Sequence, residues 1–318
     1  MSNKSSYPPP LCSSLTLETT DIVVSYLFFF MFPIALSLNG MAAWVSLHLR
    51  STSTFIIYLK NLVASDLLLT LTIPPMAASL LPEATNELKT FNCRYTEVVF
   101  YCCLYTGIGL MGLISLDRFF KIVRPCGKLL GQHMVFSIVM SSSVWVLIFG
   151  GTAIPTMIMT DQNPDNNSAH SCMSLKSQAA ITFHVLVVIS MESLFWIVSI
   201  MIVFCYICIT AKVLQSFRTS GSSNSQGKKK TKLRVFLILF VFFICFLPLH
   251  VMRVPFTLER NEGKLNICTS KLLHKLALWV STTNACLDPI LYIYLCRQYR
   301  NKLFSIIKSG AIEKKNNS

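Results

Sequence analysis

Basic and phenolic side chains that could bind an anion recur near the ends of apolar stretches in this sequence. His250 and Arg253 are three residues apart, so a helix would place them on one face. Arginine makes bidentate contacts with phosphate and carboxylate groups. The full set is Tyr101, Tyr105, Lys176, His184, His250, Arg253, His274 and Lys275. The alternative for any single cation is contact with lipid headgroups, but together these residues favour an anionic ligand.

Seven apolar stretches have to position these side chains. They are Ile22–Leu49, Leu67–Pro82, Val98–Leu116, Leu129–Thr160, Ser177–Ala211, Val235–Met252 and Leu276–Cys296. A spanning helix needs about 20 apolar residues, and the second stretch reaches that length by extending back to Asn61 across Asp66. Helices satisfy their own backbone hydrogen bonds in lipid. We therefore predict an all-α membrane protein, a seven-transmembrane helix bundle with a short amphipathic eighth helix.

The composition excludes an ordinary soluble domain. Hydrophobic residues make up 53% of the 318-residue chain and charged residues only 13%, whereas soluble domains average about 25% charged residues. The net charge of +14 therefore indicates a membrane protein before a nucleic-acid-binding one, because a nucleic-acid-binding domain would need a polar, basic face.

The distribution of Lys and Arg predicts the orientation. When the loops are assigned alternately to the two sides, nineteen of the 28 basic residues fall on one side. They are Arg50, Lys60, Arg118, Lys121, Arg124, Lys128, Lys212, Arg218, Lys228, Lys229, Lys230, Lys232, Arg234, Arg297, Arg300, Lys302, Lys308, Lys314 and Lys315. The positive-inside rule makes this side cytoplasmic. We predict a multi-pass plasma-membrane protein with an extracellular N-terminal tail (1–20), a transmembrane domain (21–305) and a cytoplasmic C-terminal tail (306–318).

The predicted outer side carries two further signals. Asn3 and Asn166 begin glycosylation sequons, although such short motifs also arise by chance. Four cysteines, Cys12, Cys93, Cys172 and Cys268, lie in outer loops or at outer helix ends. An even number in an oxidising compartment predicts two disulfides, and position alone leaves three connectivities open.

Polar residues also occur inside the apolar stretches, where they are costly and indicate function by default. Asn39, Asp66 and Asn284, with Asp288 nearby, could hold a water network or a cation, and a sodium ion near Asp66 is the one bound cofactor considered. The alternative is that these side chains join helices by hydrogen bonds. Glu192 stands alone in the fifth stretch and is predicted to be neutral or to face an outer cavity.

No catalytic residues are predicted. The six histidines show no His-x-x-x-His spacing of a metal site, and no Gly-x-Ser-x-Gly elbow occurs. A transporter or channel is the alternative from another class. It would predict paired broken helices or a polar pore stripe, and the sequence shows neither.

Several motifs occur in order along the apolar stretches. They are Asn39-Gly40, Leu62-Val-Ala-Ser-Asp66, Cys93, Asp117-Arg118-Phe119, Trp145, Phe246-Leu-Pro248 and Asp288-Pro-Ile-Leu-Tyr292. Their order and spacing resemble the rhodopsin-like G protein-coupled receptors over nearly the whole chain. Segments 55–61, 112–125 and 242–250 are similar to the purinergic nucleotide receptors, in particular the Gi-coupled branch for ADP or UDP-sugars.

This resemblance implies the disulfides Cys93–Cys172 and Cys12–Cys268. It also implies an extracellular nucleotide pocket with Arg253 on the phosphates and Tyr101 near the base, and a heterotrimeric G protein, Gi, as the partner. Lys176 and His184 match positions used around that pocket. A lysophospholipid or orphan receptor of the same subfamily is the alternative, since its ligand is also anionic.

The resemblance further implies a switch toward the cytoplasmic side. Its residues are Asp117, Arg118, Phe242, Phe246, Pro248, Asp288, Pro289 and Tyr292. We expect ligand binding to shift a conformational population, with the sixth stretch pivoting at Pro248. The chain departs from the pattern of this branch at the start of the seventh stretch. Receptors of the branch carry Lys followed by Glu there, whereas this chain carries His274 followed by Lys275 nearby. It also carries Val188 for an Asn, Glu192 for a Gln and Gly107 for a Ser.

Overall fold

The computed structural model describes residues 14–50, 53–123, 133–160, 172–173, 175–219, 225–258 and 267–316. Eleven α-helices account for nearly all of these residues. They are α1 (Ser14–Leu47), α2 (Thr54–Ser79), α3 (Asn86–Phe91), α4 (Glu97–Val123), α5 (Met134–Trp145), α6 (Ile154–Met159), α7 (Gln178–Thr219), α8 (Ser225–Leu258), α9 (Ile267–Thr282), α10 (Asn284–Leu295) and α11 (Arg297–Asn316). The described residues form no strand, only an isolated antiparallel bridge between Thr160 and Lys176.

Two π-helical segments join shorter helices into longer spans. Asn92–Thr96 connects α3 to α4, and Val146–Ala153 connects α5 to α6. The continuous helical stretches Asn86–Val123 and Met134–Met159 are therefore each long enough to cross a bilayer. Local π-helical turns often occur at functional sites, and Asn92–Thr96 includes the disulfide cysteine Cys93.

Six of the predicted spans are single helical stretches among the described residues that are long and apolar enough to cross a membrane. The seventh is divided at Thr283 into α9, with 16 residues, and α10, with 12. The Thr283 hydroxyl donates to the Val280 carbonyl at 2.6 Å. Helix α10, which starts with Asn284, contains Pro289. The break places two polar side chains, on Asn284 and Asp288, in the first turns of a new helix.

The helices pack as a bundle in which α2 contacts α1 and α4, α4 contacts α7, and α8 contacts α9. Large apolar side chains remain exposed around it, including Phe30, Leu147 and Ile200, each about 70% exposed. So many exposed large apolar side chains suit contact with lipid tails and not with water. The small and polar buried residues, such as Ala35 and Asn39, face the interior of the bundle.

The helices extend beyond the predicted domain boundaries. Helix α1 begins at Ser14, inside the predicted tail 1–20, and α11 runs from Arg297 to Asn316, across the predicted boundary at 305. Helix α11 carries several Arg and Lys residues and also exposes Phe304 and Ile307. It corresponds to the predicted amphipathic eighth helix.

Several predictions fall outside the described residues. The sequons at Asn3 and Asn166 and the half-cystine Cys12 lie there, as does the side chain of Cys268. The glycosylation sites and the Cys12–Cys268 disulfide therefore stay predictions.

Candidate ligand-binding site and switch region

A tyrosine on α4 joins the two basic residues of α8. The Arg253 guanidinium donates from Nη1 to the Tyr105 hydroxyl at 2.8 Å, and His250 Nε2 lies 3.2 Å from the same oxygen. The prediction that His250 and Arg253 share one face is confirmed. His250 and Tyr105 are fully buried, so Arg253 is the outermost of the three groups.

The protonation of His250 follows from its neighbours. Its Nδ1 lies 2.8 Å from the Phe246 carbonyl oxygen, which can only accept, so Nδ1 carries the proton. Nε2 is then the acceptor for the Tyr105 O–H. The imidazole also stacks on Phe195, with ring centroids 3.6 Å apart. His250 is therefore fixed by Phe246, Phe195 and Tyr105. It orients Tyr105 and is too buried to contact a ligand itself.

Aromatic and acidic groups surround the Arg253 guanidinium. Its Cζ lies 4.9 Å from the centre of the Tyr101 ring, which is a cation–π contact. Glu192 is close enough to act on Arg253 electrostatically, and one of its oxygens accepts from Trp196 Nε1 at 3.0 Å. The sequence suggested that Glu192 stands alone. The structure instead gives it a neighbour, because α7 places it near the arginine of α8.

A second pair of basic residues lies beside the disulfide. Cys93 and Cys172 are bonded with their Cα atoms 5.3 Å apart, which confirms one of the two predicted disulfides. This bond ties the loop before α7 to the π-helical segment that leads into α4. Lys176 follows in that loop and donates from Nζ to His184 Nδ1 at 3.1 Å. Burial lowers the pKa of the Lys176 ammonium, and the nearby Glu97 carboxylate opposes the shift.

The predicted residues of α9 lie at the same end of the bundle. Lys275 forms a salt bridge with Asp21 of α1, and the two side chains are about one quarter exposed. His274 is half-buried and is close enough to Arg253 to interact electrostatically. The eight predicted ligand residues therefore come from α4, α7, α8, α9 and the loop before α7, and converge on one end of the bundle.

The polar cluster in the middle of the bundle joins three helices. Tyr292 donates to Asp66 Oδ2 at 2.8 Å, and Asn284 Nδ2 donates to Asp288 Oδ2 at 2.9 Å. Asn39 Nδ2 lies 2.7 Å from the Ala285 carbonyl. The side-chain oxygens of Asn39 and Asn284 are buried without a donor among the described residues, which suits water or a cation. Sodium binding here stays a prediction.

One polar residue of the second span lies apart from this cluster. Asn61 accepts from Trp145 Nε1 at 3.1 Å and donates to the Ile57 carbonyl at 2.9 Å. It therefore joins α2 to α5 and takes no part in the cluster of Asn39, Asp66 and Asn284. Asn61 and Asp66 are five residues apart on α2, which places them about 140° apart around the helix and accounts for the separation.

Both carboxylate oxygens of Asp117 are engaged. The Thr54 hydroxyl donates to Oδ1 at 2.5 Å and the Lys121 ammonium donates to Oδ2 at 2.9 Å. Lys121 also contacts the Thr54 hydroxyl. The neighbouring Arg118 guanidinium instead lies over the Phe55 ring, 4.0 Å from its centre. The opposite end of the bundle thus holds a buried acid and a separate arginine.

Two further switch residues, Phe242 and Phe246 of α8, form an aromatic column with Phe195 of α7. The Phe242 ring lies 5.3 Å from that of Phe246 and 6.0 Å from that of Phe195. Phe195 in turn stacks on His250. The column therefore connects the tyrosine and arginine at one end with the middle of the bundle, next to Pro248 in α8.

Sequence reasoning missed four residues that the structure places at these sites: Asp21, Glu97, Thr54 and Lys121. Lys121 follows Asp117 by four residues, a spacing that predicts an ion pair on a helix and could have been recognised. Glu97 lies one helical turn after Cys93 and Asp21 lies near the start of the first span, and no spacing rule assigns them partners. Thr54 and Asp117 are 63 residues apart, so only the fold brings them together.

The described helices form a membrane bundle of seven spans, the seventh divided, with a polar site toward each end. The family described as "7 transmembrane receptor (rhodopsin family)" matches residues 38–292. The chain belongs to this family and is a multi-pass plasma-membrane protein, with an extracellular ligand and a G protein as partners.

Individual receptors are similar over most of their length. Purinoceptor 13 of Homo sapiens is 36% identical over 286 residues, 89% of this chain and 80% of that protein. Purinoceptor 14 of Bos taurus is 36% identical over 306 residues, 95% of this chain and 90% of that protein. "G-protein coupled receptor 87" of Mus musculus is 35% identical over 295 residues, covering 92% of this chain and 82% of that protein. These matches make the chain a purinergic-type receptor of the rhodopsin family.

Proposed function

We propose that this receptor binds an extracellular nucleotide, ADP-like or a UDP-sugar, and signals through Gi. The observation that carries the proposal is Arg253, whose guanidinium is fixed by the Tyr105 hydroxyl and the Tyr101 ring at the end of the bundle that holds the disulfide. A preorganised guanidinium suits a phosphate because its planar fork gives two parallel hydrogen bonds. The purinoceptor names of two relatives support the nucleotide class.

The neighbouring groups support distinct roles. Lys176 adds positive charge for the phosphates, His274 offers a ring nitrogen for a hydrogen bond, and Tyr101 offers a ring face to the base. His250 acts as a positioning residue through Tyr105, because its ring is fully buried. Lys275 already has the Asp21 carboxylate as a counter-ion, so its charge is only partly available to the ligand.

The orientation belongs to the same proposal. With the disulfide end outside, the N-terminus is extracellular, and Arg118 faces the cytoplasm. The basic residues predicted to be cytoplasmic, such as Lys121 and Arg300, then lie on the Arg118 side of the bundle. This arrangement agrees with the positive-inside rule.

Replacing Arg253 with Ala tests the ligand role. We expect the concentration of ADP or UDP-sugar for half-maximal Gi signalling to rise at least about tenfold, since a charge-assisted bidentate contact is lost. The readout is inhibition of cAMP synthesis in cells with matched surface expression. Lys89→Ala, which removes a cation from α3, is the control.

An unchanged dose–response for Arg253→Ala would contradict the phosphate role. A panel of nucleotides and lysophospholipids on the unmodified receptor separates the two anionic ligand classes. A response to a lysophospholipid alone would replace the nucleotide proposal by its alternative.

A further inference from the structure

A largely apolar cavity lies in the half of the bundle that holds Arg118. It is partly open to solvent and lies between α2, α4, α7, α8 and α10, and the centre of a water molecule could move within about 70 Å³ of it. Phe55, Met111, Ile238 and Phe242 contribute apolar walls. The cavity is separate from the Arg253 site, because none of the predicted ligand residues lines it.

A cation contacts one of the wall residues of this cavity. Phe55 is a wall residue, and the Arg118 guanidinium lies 4.0 Å above its ring. Among the described residues, no carboxylate forms an ion pair with Arg118. The adjacent Asp117 directs its two oxygens to Thr54 and Lys121. The Arg118 charge thus retains the capacity to bind an anion next to a wall residue of an apolar space.

The depth of the cavity sets the length of a chain that would fit. Met111, on the inner wall, precedes Arg118 by seven residues of one helix, which corresponds to about 10 Å along the axis. Asn284 and Asp288, which belong to the polar cluster of the bundle, also line the cavity. A single alkyl chain of medium length would fill the space, whereas a long chain would meet these polar side chains.

We propose that the cavity is a binding site for a single-chain monoanionic amphiphile, such as a medium-chain carboxylate. Its carboxylate binds the Arg118 guanidinium as a charge-assisted pair, and its alkyl chain lies among the apolar walls, which removes it from water. Such a ligand contacts α4 and α8 together. It stabilises the packing of these two helices. If the Arg118 end faces the cytoplasm, as in the proposed function, the ligand also opposes G-protein binding, and only this consequence rests on the proposed function.

Thermal unfolding of the purified full-length receptor in phosphatidylcholine nanodiscs tests the site. A thiol-reactive dye reports unfolding, because Cys103, Cys205 and Cys245 are buried and free. Decanoate is titrated against decanol, which has the same chain without the charge. We expect decanoate to raise the melting temperature in a saturable manner, and decanol to need an about tenfold higher concentration.

Two kinds of variant separate the charge from the cavity. In Arg118→Gln we expect the half-saturating decanoate concentration to rise about tenfold, whereas Lys308→Gln, an exposed cation on α11, leaves it unchanged. Ile238→Trp fills the cavity and should abolish the effect of decanoate. Leu291→Phe is the second filling variant if Ile238→Trp does not fold.

Equal effects of decanoate and decanol would overturn the proposal, as would equal losses in Arg118→Gln and Lys308→Gln. The proposal would also be overturned if decanoate still raised the melting temperature of a folded filling variant, because decanoate would then act through the lipid or the receptor surface. The titration contains neither nucleotide nor G protein. The decanoate result therefore does not depend on whether the receptor binds a nucleotide, and the nucleotide result does not depend on whether decanoate binds.

Discussion

Tyr105 organises the candidate ligand site at the scale of single residues. Its hydroxyl accepts from Arg253 and donates to His250, so one oxygen fixes two basic side chains of α8 against α4. The acids nearby matter as much as the bases. Asp21 forms a salt bridge with Lys275. Glu97 interacts electrostatically with Lys176, and Glu192 does so with Arg253. The mouth of the bundle is therefore less positive than its basic residues alone suggest.

Lys176 gives a prediction in which ligand binding and stability oppose each other. Burial lowers the pKa of its ammonium from the ordinary value of 10.5, so the charged form is disfavoured in the folded receptor. The unfolded chain carries the charged ammonium near neutral pH, so the free-energy cost of burying this group opposes folding there. Lys176→Met should raise the melting temperature there while weakening the response to nucleotide.

The pH dependence of Lys176→Met provides the check. As pH rises toward 10.5, the folded wild-type receptor loses the Lys176 proton before the unfolded chain does, and the penalty disappears. The difference in melting temperature between Lys176→Met and wild type should narrow accordingly. Lys89→Met serves as the control. A variant that is less stable than wild type near neutral pH would contradict the expectation.

The two ends of α2 and α4 carry different chemistry at the scale of elements. Near the start of α2, Thr54, Asp117 and Lys121 form a closed set of hydrogen bonds between the helices. Toward the other end, the π-helical segment Asn92–Thr96 and the disulfide fix the top of the α4 span. The break at Thr283 between α9 and α10 lies between these ends, next to the polar cluster. A helix interrupted there has a local position at which to bend during switching.

Thr54→Val removes the hydroxyl that joins α2 to Asp117 while keeping the shape of the side chain. It leaves one oxygen of a buried carboxylate without this donor, which costs about 1–3 kcal/mol. We expect lower thermal stability and higher basal nucleotide exchange on the G protein, because the Arg118 end is held less firmly. The measurement is GTP-analogue binding in membranes without agonist.

Thr182→Val makes the same chemical change at an exposed position of α7, where the hydroxyl contacts the Gln178 carbonyl. It should leave basal exchange unchanged. Equal basal exchange in Thr54→Val and wild type would show that the Thr54–Asp117 hydrogen bond does not restrain the switch.

At the scale of the whole molecule, a lipid-facing surface encloses two separated sites. The exposed apolar side chains form the outside, and the polar groups lie inside along the bundle axis. The aromatic column Phe195, Phe242 and Phe246 runs between the Arg253 site and the Arg118 half. This continuity offers a physical connection between a ligand at one end and a partner at the other.

The disulfide gives the prediction for the whole fold. It closes a loop with a sequence separation of 79 residues, and loss of a native disulfide typically costs about 2–5 kcal/mol. Cys93→Ser with Cys172→Ser should sharply reduce surface expression and thermal stability. Cys208→Ser, which removes a free cysteine from α7, should not. Normal surface levels of the double variant would contradict the expectation.

The amino-acid sequence by itself determined the class of fold, since seven apolar stretches of this length belong in lipid and lipid admits only backbone that is internally hydrogen-bonded. It also grouped His250 with Arg253, because a helix places them on one face whatever its surroundings. The tertiary structure decided the pairings. Thr54 with Asp117, Lys275 with Asp21, and Asn61 with Trp145 depend on how helices far apart in sequence are rotated and aligned. Local spacing fixes neither quantity, because rotation is set by packing of the entire bundle.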